Sequence, residues 1–209
     1  MANEFRLISI RKLSFARQAL LLLSEDLKTE ISSNCVVFLS GDIAYFLAHD
    51  TERRHATLDV PIKGSDIDIV IVANQEANPE KMEKIGGELL QIKHSFLVNS
   101  DIQEELDFIV KPMARMLDQL EYRDIHQKIA TKILYESYFL MGRVDIYQAL
   151  LRHLEFSGAL AKIESDFEIA LTERRQTIGK IMKLSHMDAG KDENVNSLFF
   201  ASQERLEFS

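Results

Sequence analysis

One cysteine, no tryptophan and three prolines in 209 residues remove several protein classes at once. A lone thiol, Cys35, allows no disulfide within the chain, which excludes a small disulfide-stapled scaffold and suits a reducing, cytoplasmic setting. Long hydrophobic runs are missing as well. The longest near the N-terminus, Ala19-Leu20-Leu21-Leu22-Leu23, is far short of the ~20 apolar residues of a membrane span. It also lacks a signal-peptide cleavage pattern, so no membrane partner is expected. Basic charge is in deficit: 25 Lys and Arg against 33 Asp and Glu leave a formal net charge of -8, which argues against general binding of duplex DNA. Local basic groups remain at Arg53-Arg54, Arg174-Arg175, Lys180 and Lys183, and solvated loop and helix faces are their simplest reading. The six histidines show no metal-ligand spacing.

What is present is an ordinary globular composition, with one stretch that stands apart. In Gly64-Ser65-Asp66-Ile67-Asp68-Ile69-Val70-Ile71-Val72, two carboxylates sit at the mouth of an apolar strand. Alternation puts Asp66 and Asp68 on one face and Ile67, Ile69 and Ile71 on the other. Like charges side by side repel and are costly to desolvate, so the pattern points to a cation. Mg2+ suits it, because it takes oxygen ligands and binds through one or two carboxylates plus substrate phosphates. The bland alternative is a strand end with two surface aspartates.

Two further features favour the cation. Glu105-Leu106-Asp107-Phe108-Ile109-Val110 reads as a second strand with one acid inside an apolar run, where Asp is normally depleted. Upstream, Cys35-Val36-Val37-Phe38-Leu39 reads as a strand, followed by Ser40-Gly41 and a helix-like Asp42 to Ala48. A strand, a small-residue turn and a helix N-terminus offer free backbone N–H groups to an anion.

This order of motifs resembles the polymerase-β-type nucleotidyltransferase superfamily, and within it the minimal and abortive-infection-type bacterial enzymes. The resemblance covers residues 35–110 well and the remainder loosely. It implies that Asp66, Asp68 and Asp107 are the catalytic, metal-binding carboxylates, holding two Mg2+ ions, with Mn2+ an alternative. It implies that Ser40, Gly41, Asp42 and Ser65 surround the nucleoside triphosphate. It also implies that a helix lysine, Lys128 or Lys132, and a later acid, Asp145, complete the nucleotide pocket. Ordinary exposed lysines and a helix-start Asp are the bland reading of those three. Asp42 stands where the family has Gly or Ser, and an N-cap of the following helix is its simplest role. Thr51 to Lys63 is an insertion relative to the minimal enzymes, a loop or hairpin with His55 to Val60 as a candidate strand.

Around these motifs, helical periodicity runs from Ser14 to Ser32 through Ala16, Ala19, Leu20, Leu23, Leu27 and Ile31. Pro79 to Lys93 repeats it with Met82, Ile85, Leu89 and Ile92. From Met113 onward no strand is expected. Stripes through Ile125-Ile129-Ile133, Ile146-Leu150-Leu154 and Leu160-Ile163-Phe167-Leu171 suggest helices packed as a bundle. The expected fold is α+β: a small mixed β-sheet with packed helices (1–112), a C-terminal helical bundle (113–185), and a mobile tail (186–209). In that tail Leu198-Phe199-Phe200 is a candidate docking handle. The function expected is transfer of a nucleoside monophosphate to an RNA, protein or small-molecule acceptor. The alternatives are a catalytically silent binding module on the same scaffold and, third, a D-x-D glycosyltransferase.

Overall fold

Two apolar runs without polar interruption become the centre of the molecule. The computed structural model describes residues 2–181. The chain enters through helices α1 (Ala2–Leu21) and α2 (Glu25–Asn34), then strand β1 (Cys35–Leu39) and a short turn of helix, α3 (Gly41–Ala44). A hairpin of β2 (Glu52–Arg54) and β3 (Pro61–Lys63) precedes β4 (Ile67–Ala73), α4 (Pro79–Val98) and β5 (Leu106–Pro112). There follow α5 (Met113–Gln119), α6 (Ile125–Tyr135), β6 (Tyr138–Gly142), α7 (Val144–Phe156) and α8 (Ala159–Ile181). The fold is the mixed α+β class expected, a small sheet with helices packed on it.

The four-stranded sheet has the order β5-β4-β1-β6. β1 runs antiparallel to β4 and β6, while β4 runs parallel to β5. A parallel pair needs a crossover connection, and α4 supplies it. Odd-numbered residues of β1 and β4 (Val37, Leu39, Ile67, Ile69, Ile71) pack on Ala16, Leu20, Leu27, Ile31, Ile85 and Leu89 of α1, α2 and α4. Even-numbered residues (Val36, Phe38, Val70, Val72) pack on Met116, Ile129, Ile133, Leu150 and Ile163 of α5 to α8. Both central strands are therefore covered on both faces, which is why they read as continuous apolar runs. Each such side chain contributes about 1.5–3 kcal/mol by leaving water.

Three expectations need correction. The first helix is two helices, divided at Leu22 to Ser24, where Glu88 of α4 accepts hydrogen bonds from the Ser24 amide (2.9 Å) and hydroxyl (3.0 Å). The apolar stripe still faces the core across the break. The insertion is a hairpin, but His55 to Val60 forms its connecting loop, not a strand. Finally, a strand does occur after Met113. Tyr138–Gly142 pairs with the free edge of β1, so the helical half contributes to the sheet that carries the acids. Residues 186–209, with Leu198, Phe199 and Phe200, and Lys183 lie outside the described residues, as do the side chains of Arg174 and Lys180. Among the described residues no helix is long and apolar enough to cross a membrane.

A buried ion pair sits inside this frame. Lys12 of α1 and Glu104, just ahead of β5, are both fully buried and ion-paired, and Lys12 also donates to the Lys63 carbonyl (2.6 Å). Burial pushes the Lys12 ammonium down and the Glu104 carboxyl up from their ordinary values. Arg11 adds a second contact to Glu104 at 3.2 Å and binds Asp50 at 2.5 Å. α1 is thereby pinned to the segment that leads into Asp107. Removing one partner of a buried pair strands the other charge, so Lys12→Met should cost about 3–5 kcal/mol in urea unfolding, at the lower end because Arg11 remains. The double variant Lys12→Met/Glu104→Leu should recover most of that loss. A double variant no more stable than the single one would contradict this reading.

Candidate functional site

The site is built on Asp68, the second residue of β4. β1 ends at Leu39, paired with Ile69, so Asp68 lies where β1 has just stopped. There the Ser40 amide donates to the Asp68 carbonyl at 3.3 Å. On the other side, the parallel register sets Asp68 directly opposite Asp107 of β5. Paired residues of neighbouring strands project to the same face, so the two carboxylates stand side by side. Asp66 lies one residue ahead of β4, outside the paired strand. Of the three acids named from sequence, register sets Asp68 opposite Asp107, and Asp66 lies at the same end of the sheet.

Gly41 closes the site from beneath. Its φ of +71° belongs to the left-handed region, and a Cβ built there would lie 3.2 Å from Asp68 Oδ2. Glycine meets both demands, and the chain turns tightly against the carboxylate. α3 spans only four residues, so it carries little of the dipole expected of a helix N-terminus. Asp42 is not its N-cap; Ser40 holds that position. Asp42 Oδ2 instead accepts a hydrogen bond from Ser65 Oγ at 3.0 Å, tying the turn to the segment before Asp66. Ser65 also receives the His49 amide on its hydroxyl (3.2 Å). Ser40 and Ser65 are both buried, and of the four residues expected around the triphosphate, Gly41 and Asp42 are the less buried pair.

Cations of the protein itself meet Asp66 and Asp107. Asp66 is ion-paired with Arg53 of β2, and Asp107 with Lys93 of α4. Lys93 belongs to the helix on the opposite layer and reaches Asp107 round β5, the edge strand. Arg53 is held in three ways: Nε donates to the Gly64 carbonyl (3.0 Å), and Nη2 contacts both Glu105 (2.7 Å) and Asp66. Glu105 is shared with His55, whose Nε2 lies 3.5 Å away. Asp66 Oδ1 is shut off from solvent and, among the described residues, makes no hydrogen bond beyond its ion pair with Arg53. Such an atom demands a positive neighbour. No three His, Cys, Asp or Glu side chains among the described residues are gathered as a ready metal cluster. The donor chemistry nevertheless fits Mg2+: hard carboxylate oxygens, half-buried, at a seat that already takes a cation.

The structure also separates the two lysines. Lys128 donates to Asp166 of α8 (2.9 Å) and lies over the Tyr122 ring, 5.1 Å from its centroid, beside an open depression lined by Arg123, Lys162 and Ser165. Lys132 is one turn nearer the end of α6, paired with Glu136 at 2.8 Å. Glu136 and Lys132 both act on Tyr45, just past α3, where burial foremost pushes the phenol up to about 12. Lys132 therefore belongs to the Gly41 side of the molecule, and Lys128 to the α8 side. Asp145 does not join the carboxylates. It follows Gly142, which pairs with Val36 at the far end of β1, and it is exposed and bound to Arg143. Arg143 beside it holds its carboxyl at about 2.

Reasoning from sequence did not find Arg53 as a partner of Asp66, nor Lys93 and Glu105 as members of the site. Arg53 reads as one of two adjacent surface arginines, and only the hairpin brings it to Asp66. Arg54, its neighbour, is exposed and binds Asp59 (3.1 Å).

Two glycines make the geometry testable. Gly41→Ala forces a side chain into left-handed backbone, for a cost of about 1–2 kcal/mol, with Asp68 displaced. Gly64 has φ +53°, and its Cβ would fall 1.8 Å from the His49 carbonyl oxygen, too close for any side-chain adjustment to relieve. Gly64→Ala should therefore lower the thermal midpoint markedly more than Gly41→Ala. Equal midpoints would contradict the packing described.

Compared with protein-family models, curated proteins and solved structures, the chain matches none, so the reading of the site rests on its own geometry.

Proposed function

We propose that the chain is a Mg2+-dependent nucleotidyltransferase that moves a nucleoside monophosphate from a nucleoside triphosphate to an RNA, protein or small-molecule acceptor. One observation carries this reading: Asp68 and Asp107 stand opposite each other on parallel strands, with the Gly41 turn pressed against Asp68. Asp66, Asp68 and Asp107 would hold two Mg2+ ions, or Mn2+ in their place. Bound Mg2+ supplies neutralisation of triphosphate charge. The acceptor oxygen attacks the α-phosphorus in line, the bond to the bridging oxygen breaks, and pyrophosphate leaves. Asp107, once released by Lys93, would take the acceptor's proton. Lys132, on the Gly41 side, offers its ammonium to the phosphates as charge shifts toward pyrophosphate. A single thiol, buried in β1, is consistent with a reducing, cytoplasmic location.

A silent nucleotidyltransferase-fold module is the second reading, favoured by the ion pairs Arg53–Asp66 and Lys93–Asp107, which already neutralise two of the acids. Transfer of label separates the two. With α-32P-labelled nucleoside triphosphates, Mg2+ and a cell extract as acceptor source, label should become covalently attached and should vanish with Asp68→Asn. Lys132→Ala should lower the rate by about tenfold or more, short of the ~10²–10³ lost with a fully enclosed donor. Lys128→Ala should leave it near the parent value. Label transfer undiminished in Asp68→Asn would overturn the catalytic assignment.

A further inference from the structure

Arg53 occupies a position that the proposed chemistry would give to a metal ion, and its other contacts show how it can leave. The guanidinium rides on the β2–β3 hairpin, whose two strands pair with each other apart from the main sheet. It is about one-third exposed, and Asp66 about one-quarter, at 26%. Glu105, at 14%, is the more buried of its two acidic partners. The same nitrogen, Nη2, serves Glu105 and Asp66 together, while Nε stays on the Gly64 carbonyl. A guanidinium has five N–H groups in a fixed fork, so it can give up one carboxylate and keep the other.

We propose that Arg53 is a built-in competitor for the cation seat at Asp66: it neutralises that carboxylate while no metal is present, and yields it, staying on Glu105, when metal enters. This rests on the metal-site reading above. The physical requirement is charge. Asp66 Oδ1 is buried and has Arg53 as its counter-ion, so an unneutralised Asp66 would be costly. Arg53 lowers the energy of the metal-free state and so weakens apparent metal affinity, by linkage. Glu105 sets the strength of the competition, because it draws the same guanidinium away from Asp66. Hairpin and site are thereby coupled: whatever holds Arg53 on Glu105 opens Asp66 to a cation.

Mn2+ titrations followed by electron paramagnetic resonance of the free ion, on the full chain without nucleotide, test this. Arg53→Gln should bind Mn2+ about tenfold more tightly than the parent, within the usual range of coupling between two ligands. Glu105→Gln should shift affinity the other way, since Arg53 then gives its charge to Asp66 alone. Arg53→Lys should fall between the parent and Arg53→Gln, because one ammonium is a poor bridge between two carboxylates. Thermal unfolding establishes that each variant is folded. If Arg53→Gln does not fold, the opposite shifts of Glu105→Gln and Arg53→Lys carry the decision. Equal affinity across the folded variants, or weaker binding in Arg53→Gln, overturns the competition and leaves the metal site standing. No Mn2+ bound by any folded protein, or binding unchanged in Asp68→Asn, overturns the metal-site reading and this inference with it.

Discussion

Carboxylates on a buried sheet must meet positive charge, and much of this molecule is arranged around that constraint. β4 is apolar and buried apart from Asp68, its second residue, and Asp66 stands just ahead of it. The sheet could not carry a neighbouring Asp107 in register without compensation, since like charges at this spacing repel strongly in a poorly solvated site. Arg53 and Lys93 provide it from two directions, one from the inserted hairpin and one from the crossover helix. Charges so arranged are an expensive way to hold a strand end, because apolar residues of similar volume would commonly be as stable or more so. The proposed function gives these acids a role beyond the fold they sit in.

The scaffold around them is tied together at several points. Lys12 and Glu104 fix the segment entering β5 against α1, and Glu105, the next residue, reaches Arg53. Gly64 and Gly41 hold the turns before Asp66 and after β1 in left-handed backbone, so the loops approach the carboxylates closely. The helical half is joined to the same frame by β6, which pairs with β1 and places the end of α6, with Lys132 and Glu136, on the Gly41 side. The far end of β1 has its own left-handed turn, at Gly142, but there Arg143 and Asp145 bind each other at the surface.

What could be read from sequence followed burial. β1 and β4 were legible because strands covered on both faces lose their alternation and become plain apolar runs. Asp68 and Asp107 stood out against those runs for the same reason. Tyr138–Gly142 was not legible: it is a short apolar run between two helices, and periodicity alone does not separate a strand from a helix segment at that length. Its aromatic pair Tyr138-Phe139 and the terminal Gly142 were the available signals. The division after Leu21 was hidden because the apolar stripe continues across it, and its cause, Glu88, lies on a distant helix. Ion partners were the least legible of all. Arg53 is 13 residues from Asp66 and Lys93 is 14 from Asp107, and nothing in either local sequence specifies that they meet.

Anomalous diffraction from crystals grown with Mn2+ and a non-hydrolysable nucleoside triphosphate would test the central claim most directly. A metal-dependent nucleotidyltransferase with Arg53 as competitor should show metal density between Asp68 and Asp107, the triphosphate over the Gly41 turn, and Arg53 withdrawn from Asp66 onto Glu105. Nucleotide ordered elsewhere with both ion pairs intact, or no metal at the carboxylates, would contradict it.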